Sequence, residues 1–189
     1  MANKKTGIDM GLTDDEKQAL LRIARASIQA KLAGKKPPAA KGQGALEEKR
    51  GAFVCLKRRG RLRGCIGFIE AKTHLARTVE EMAVAAAFQD PRFEPLKKEE
   101  LKDVQMEISV LTPLRKVADV AEIEVGTHGL YIRKGSRAGL LLPQVATEYG
   151  WDRDTFLKET CRKAGLAPDA WRDPETEIFL FSADVFGEE

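Results

Sequence analysis

The segment 53–68 limits the possible folds more than any other part of the chain, because two strand-like runs flank a short basic turn. The runs 53–57 and 62–68 are rich in apolar residues, and Gly60 supplies the conformational freedom that a tight turn needs. Two strands joined in this way pair antiparallel, so the pattern predicts a β-hairpin. We therefore expect a sheet with antiparallel pairing.

Helical patterns precede and follow this hairpin. Thr13 and Glu16 form a capping box, which begins a predicted helix over about 13–34 that Gly34 ends. Apolar residues at helical spacing predict a second helix over 74–88, with Thr73 as its cap. Both helices are expected to pack their apolar stripe on a sheet or on each other.

The remaining chain continues this mixture of strands and helices. Alternating apolar and polar residues predict a half-buried strand over 104–110, and a second hairpin is expected over 130–142. Pro143 and Asp152 are typical of helix starts, and the apolar run in 177–186 predicts a strand buried on both faces. This order predicts an α+β fold with mainly antiparallel pairing and helices covering the sheet faces.

Length and composition exclude several classes of protein. The 189 residues suit one domain or two packed subdomains, and the proline- and glycine-containing segment 35–44 is expected to be a surface linker. No run approaches the ~20 apolar residues of a membrane span, and residues 1–5 lead into no apolar signal core. Three cysteines without a signal indicate reduced thiols and a cytoplasmic protein.

Cys65 is the strongest candidate for a reactive side chain. Strand alternation puts Arg63 on the same side, about 7 Å away at ~3.3 Å per residue, where a guanidinium could hold a thiolate or an anion. Gly64 and Gly67 have no side chain, so another backbone or a ligand can approach closely. The alternative is that Cys65 is an ordinary buried cysteine, and the sequence leaves both open.

A disulfide cannot be derived from this hairpin. With a two-residue loop at Arg59-Gly60, simple counting places Cys65 opposite Val54 instead of Cys55. The third cysteine, Cys161, lies on the apolar face of a predicted helix and is expected in the core.

A thiol nucleophile needs a base, and the candidates are few. His128 is the preferred base and Glu107 a second acid or base, while His74 is expected on the surface. The structural alternative for Glu107 is a solvated ion-pair partner of a lysine. Close cysteine or histidine pairs are lacking, so no metal site is predicted.

The turn of the first hairpin concentrates positive charge on Lys57, Arg58, Arg59 and Arg61. These cations could hold RNA phosphates, although the net charge of +3 is too small to require a nucleic-acid partner. A charged hairpin tip also resists unwanted edge pairing, which is the structural alternative.

Residues 62–67, with the sequence LRGCIG, resemble the signature of the AMMECR family. Five further stretches match the family in the same order, and the resemblance runs from about residue 52 to residue 186. They are QDPRF at 89–93, EISVL at 107–111, HGL at 128–130, LPQVA at 142–146 and GWD at 150–152. The family has no settled biochemical activity.

The resemblance implies two subdomains with the glycine-cysteine motif lining a groove between them. We expect the larger α+β subdomain to comprise 1–112 and 150–189, and a smaller β-rich one to comprise 113–149. The candidate residues for binding a substrate or anion in this groove are Arg63, Gly64, Gly67, Asp90, Arg92 and Gln144.

Relatives in bacteria and archaea are often encoded beside a Memo-like protein and a radical-SAM protein, which are the implied partners. One hypothesis is therefore an enzyme or enzyme partner with Cys65 as nucleophile or redox thiol, acting on an anionic small molecule, RNA or a protein. The alternatives are a non-catalytic adaptor and a nucleic-acid-binding module. The three-cysteine cluster motif of radical-SAM proteins is missing, so we expect no cofactor.

Overall fold

A computed structural model describes residues 8–37, 42–70 and 72–188. Its contacts divide the chain into two compact units. The N-terminal unit comprises Gly11–Leu111 together with the last residues from Val185, and the C-terminal unit comprises Thr112–Asp184 together with residues up to Met10. Part of the predicted linker, residues 38–41, lies outside the described residues. Within those residues, no helix has the length and apolar character needed to cross a bilayer.

The N-terminal unit combines antiparallel strands with two helices. The strand order is β2-β1-β3, so β1 has a neighbour on each side. A 3₁₀ helix at Lys98–Asp103 leads into β3. The elements are α1 at Asp14–Leu32, β1 at Ala52–Arg58, β2 at Arg61–Phe68, α2 at Leu75–Phe88 and β3 at Val104–Leu111.

Alternation along β1 and β3 builds the core of this unit. Val54 and Leu56 of β1 and Met106 and Ile108 of β3 are almost completely buried in one cluster with the apolar face of α2. The intervening residues lie on the other face of the sheet, as period-two alternation requires. This other face carries both cysteines of the hairpin.

Local signals account for the helix ends in the N-terminal unit. Thr13 and Glu16 form the predicted capping box of α1, and Gly34 follows its end with a φ of +67°. The predicted cap of α2 is wrong by one residue, because His74 is its N-cap. The hydroxyl of Thr73 instead lies 3.0 Å from the hydroxyl of Thr78.

The C-terminal unit contains further antiparallel strands and two helices. Strand β7 pairs with β5 on one side and with the short β4 on the other, and β6 pairs with β5. The elements are β4 at Arg115–Lys116, β5 at His128–Lys134, β6 at Arg137–Leu141, α3 at Pro143–Glu148, α4 at Arg153–Lys163 and β7 at Glu177–Gly187, whose last three residues count with the N-terminal unit. The α+β class with antiparallel sheets is as predicted.

The core of the C-terminal unit explains why its boundaries differ from those expected. Phe156, Leu157 and Cys161 of α4 pack in one buried cluster with Leu130 and Ile132 of β5. The helix therefore belongs with the second hairpin, whereas the predicted division assigned residues after 149 to the larger part. The core position of Cys161 is confirmed.

Candidate functional site

The register of the first hairpin is shifted by a β-bulge. Arg59 and Gly60 form the expected two-residue turn, both with positive φ, at +52° and +74°. Past the turn the pairing shifts between Lys57 and Leu56, so that Leu56 faces Gly64. A bulge places one extra residue in one strand, and all later partners move by one.

This shift places Cys65 opposite Cys55, with Cα atoms 4.0 Å apart, and their sulfur atoms form a disulfide. The counted partner, Val54, faces Ile66 instead. The expectation of reduced thiols is therefore wrong for this pair in the structure. Cys55 is 6% exposed, whereas Cys65 is half-buried.

The backbone of Cys65 is held from its outer side by two side chains. Its N–H donates to Asp90 Oδ2 over 2.9 Å, and its carbonyl oxygen accepts from Arg92 Nη2 at 3.4 Å. Both groups point away from β1, so Cys55 and Cys65 are a non-hydrogen-bonded pair, the kind in which Cα atoms come closest. Asp90 and Arg92 thus occupy the place of a neighbouring strand at this edge.

Asp90 and Arg92 also form a tight ion pair. Arg92 Nε lies 2.9 Å from Oδ1 and Nη2 lies 2.6 Å from Oδ2, and the Arg92 N–H donates to Oδ1 over 3.1 Å. The guanidinium bonds hold the pKa of the Asp90 carboxyl well below its usual range, with a smaller contribution from the Cys65 N–H. Asp90, which is 4% exposed, is therefore charged at neutral pH.

Arg63, the predicted anion clamp, is already paired within the chain. Its Nε and Nη2 donate to the two carboxylate oxygens of Glu100 at 3.1 and 2.9 Å, and Arg58 donates to the same carboxylate at 3.0 Å. The bonds from Arg63 lower the pKa of Glu100 to about 2. The Arg63 and Arg92 guanidinium groups both lie over the Phe93 ring, at 5.8 and 5.5 Å from its centre.

The two glycines make room for the chain itself. A Cβ on Gly64 would lie 2.1 Å from the carbonyl oxygen of Ala86 in α2, and one on Gly67 would lie 2.3 Å from the Phe53 ring. Such distances are impossible for real carbon atoms. The predicted close approach is therefore present, and both neighbours belong to this protein.

Glu107 lies next to the disulfide across the sheet. Its position in β3 is directly opposite Cys55, so Cys65, Cys55 and Glu107 form one row across three strands. Side chains opposite each other share a face at Cβ separations of about 5 Å. The carboxylate also binds Lys57, with 3.0 Å between Nζ and Oε2. This ion pair is the lysine contact that the sequence allowed as the alternative to an acid or base role for Glu107.

Comparison with known proteins places the chain in a family. A sequence profile described as AMMECR1 matches residues 21–186. The chain belongs to the AMMECR1 family. Residues 62–67 of this AMMECR1-family protein lie in β2, the strand whose edge Asp90 and Arg92 cover at Cys65.

Similar AMMECR1-family proteins occur in archaea. A protein of Methanothermobacter thermautotrophicus is 45% identical over 94% of this chain and 97% of its own length, and one of Methanopyrus kandleri is 45% identical over 94% and 91%. The crystal structure of an uncharacterised protein of Pyrococcus horikoshii matches with a TM-score of 0.90 at 42% identity, covering 94% of both chains. These relatives support the fold without assigning an activity.

Two predicted site residues, His128 and Gln144, belong to the C-terminal unit. His128 begins β5, and its Nδ1 accepts the N–H of Glu124 at 3.1 Å. Gln144 lies in the first turn of α3 and is 7% exposed. Their contributions to a site around Cys65 stay predictions.

The N-terminal unit of this AMMECR1 protein brings together Cys55, Cys65, Asp90, Arg92 and Glu107. Sequence reasoning missed Cys55 as a partner, because the bulge that aligns it leaves no local signal. The part of the chain that the structure describes contains no cluster of three or more His, Cys, Asp or Glu that could hold a metal ion.

Proposed function

We propose that this AMMECR1-family protein is a thiol-dependent enzyme or enzyme partner whose working group is the Cys55–Cys65 pair. The observation that carries the proposal is the bulge, which aligns two cysteines that would otherwise be out of register. The pair then cycles between disulfide and dithiol. Of the two roles considered for Cys65, the redox thiol is better supported than the isolated nucleophile.

Unequal exposure favours one direction of attack. Cys65 is half-buried in β2, which pairs with a single strand in its unit, whereas Cys55 lies deeper in the central strand. A substrate thiolate forms a bond to Cys65 Sγ, and the bond between the two sulfurs breaks. The electron pair moves to Cys55 Sγ, which takes up a proton. A second thiol of the substrate then releases Cys65 and leaves with a disulfide of its own.

The substrate class is therefore a dithiol, either on a protein or on a small molecule. Its identity as an anion has less support, because the nearest cations are paired. Arg92 binds Asp90, Arg63 binds Glu100 and Lys57 binds Glu107.

The implied partners fit within the same proposal. A Memo-like protein and a radical-SAM protein are proposed partners on the strength of the family resemblance alone. In this proposal, the reduced Cys55–Cys65 pair reduces a disulfide in either protein and is itself oxidised back to the disulfide. Cytoplasmic localisation is also proposed, since the disulfides that occur in the cytosol are usually transient and catalytic or redox-sensing.

The RNA-binding alternative is weakened by local charge compensation. Arg58 contacts both Glu100 and Asp103, and Arg59 lies 3.7 Å from the same Asp103 carboxylate. Most of the positive charge in the hairpin is thus opposed by carboxylates. RNA affinity that falls steeply with added salt would revive this alternative.

Equilibration with glutathione redox buffers tests the proposal. The dithiol fraction is trapped by alkylation and counted from the mass of the intact protein. We expect a reversible two-electron transition between about −120 and −300 mV, where exchange-active pairs lie. A Cys161→Ser variant should give the same transition, because the buried Cys161 takes no part.

Two results would contradict the proposal. A pair that stays oxidised at potentials far below about −300 mV would be a structural disulfide. A pair that never oxidises would mean that the two thiols act separately or not at all. In either case, a non-catalytic adaptor would become the better-supported function for this AMMECR1-family protein.

A further inference from the structure

We infer that Asp90 and Arg92 are positioning residues for this redox pair, an inference that rests on the proposed function. They hold the Cys65 peptide from outside, so that its sulfur stays opposite Cys55 in the dithiol as well as in the disulfide. We call these two residues the edge clamp.

The edge clamp replaces hydrogen bonds that an edge strand lacks. In the N-terminal unit, β2 pairs with β1 only, so the outward N–H and carbonyl of Cys65 have no strand partner there. Asp90 accepts from that N–H, and Arg92 donates to that carbonyl. One acceptor and one donor thus reproduce the pattern of a paired strand at a single residue.

The edge clamp is anchored to the end of α2. The N–H of Leu96 donates to the carbonyl of Ala87 at 2.8 Å, which ties the loop after Asp90 back to the helix. The N–H of Phe93 donates to the Asp90 carbonyl at 3.1 Å. The Asp90 side chain is only 2% exposed and has little freedom to move. Motion of β2 at Cys65 is therefore limited by α2 as well as by β1.

This restraint should favour the disulfide over the dithiol. Two thiols held face to face have a high effective concentration, because little conformational freedom remains to be lost when they join. Without the edge clamp, the reduced β2 can move away from β1 at Cys65. The disulfide then becomes easier to reduce. The opposite charges of Asp90 and Arg92 offset each other in the wild type, and their removal one at a time leaves charges of opposite sign. A fall common to both variants therefore comes from position.

Alanine variants measure the restraint directly. For Asp90→Ala and for Arg92→Ala, we expect the equilibrium constant for disulfide formation against glutathione to fall about tenfold, which is about 30 mV. Asp90→Asn keeps an oxygen that can accept the Cys65 N–H but loses one of the two oxygens that hold Arg92, so its shift should be smaller than that of Asp90→Ala. Arg162→Ala removes an exposed ion pair with Glu159 in the C-terminal unit and serves as a matched control.

Circular dichroism and urea unfolding establish that each variant is folded before its potential is measured. Arg92→Ala provides the second route if Asp90→Ala fails to fold, because the Arg92 side chain is 44% exposed. Folded alanine variants with the wild-type constant would overturn the inference. So would an Asp90→Asn shift as large as that of Asp90→Ala. If wild-type protein shows no reversible exchange, the proposed function itself fails, whatever the variants do.

Discussion

At the residue scale, Gly64 determines how closely α2 can approach the sheet. The Ala86 carbonyl oxygen occupies the space where a side chain of residue 64 would begin. Because that neighbour is backbone, it cannot rotate away as a flexible side chain could. The glycine before Cys65 therefore has a packing role.

Gly64→Ala should destabilise the protein by about 3 kcal/mol, because overpacking forces α2 or β2 to shift. Equilibrium urea unfolding measures the change in free energy. Gly60→Ala is the control in the same hairpin, since no atom lies within 4 Å of the position that its Cβ would take and only its φ of +74° penalises alanine. The control should lose about 1 kcal/mol. Equal losses would show that the close approach of α2 is not the cause.

At the element scale, the first hairpin shows how far local signals reach. Gly60 and the alternation of β1 and β2 predict the strands and the turn, since turn chemistry and strand period are local properties. The bulge depends on distant contacts. Gly64 packs on Ala86 and Arg63 reaches Glu100, 37 residues along the chain. The disulfide follows from that bulge, so counting residues from the turn could not find it.

The same limit applies to side-chain roles. Alternation places Arg63 and Cys65 on one side of a strand, and on that basis it predicts that Arg63 holds an anion. Alternation cannot reveal Glu100, which the 3₁₀ helix before β3 brings to the guanidinium. By contrast, the caps Thr13 and Asp152 were predictable, because the groups they bind lie within three residues.

Glu100 connects this 3₁₀ helix to both strands of the hairpin, and its loss should be visible in the pH dependence of stability. Its folded pKa of about 2 lies below the ordinary value of 4.5, so its stabilising effect is present above about pH 4.5. That effect is lost as the pH falls towards 2. Glu100→Gln should therefore cost about 2 kcal/mol at pH 7 and little at pH 2, since the carboxylate pairs with two partly exposed arginines.

Urea unfolding of wild type and Glu100→Gln across this pH range measures the difference. Glu99→Gln is the matched control, because the adjacent Glu99 is exposed and its variant should match wild type at every pH. A gap that stays constant down to pH 2 would mean that the lost stability comes from packing and not from the charge of Glu100.

At the scale of the whole molecule, the boundary between the two units differs from the one that the sequence indicated. Each unit buries its own apolar cluster, and α4 joins the second hairpin instead of the first sheet. Apolar periodicity predicts that α4 has a buried face, but it does not say which sheet that face covers. Assigning helices to units therefore needed long-range contacts, whereas the α+β class needed only the order of elements.

The number of free thiols under different conditions distinguishes the roles of the three cysteines of the chain. Oxidised protein has one free thiol, Cys161, which is completely buried, and burial raises its pKa. Few Cys161 thiolates are therefore present at pH 8, and those are shielded from the reagent.

Titration with an aromatic disulfide reagent should accordingly detect almost no thiol in the native oxidised protein. The same protein should show one thiol after unfolding in guanidinium, and three after reduction followed by unfolding. Cys161→Ser should lower the last two counts by one. Three thiols in unfolded protein that was never reduced would mean that Cys55 and Cys65 are not linked. The register of the hairpin would then no longer support a redox role for the pair.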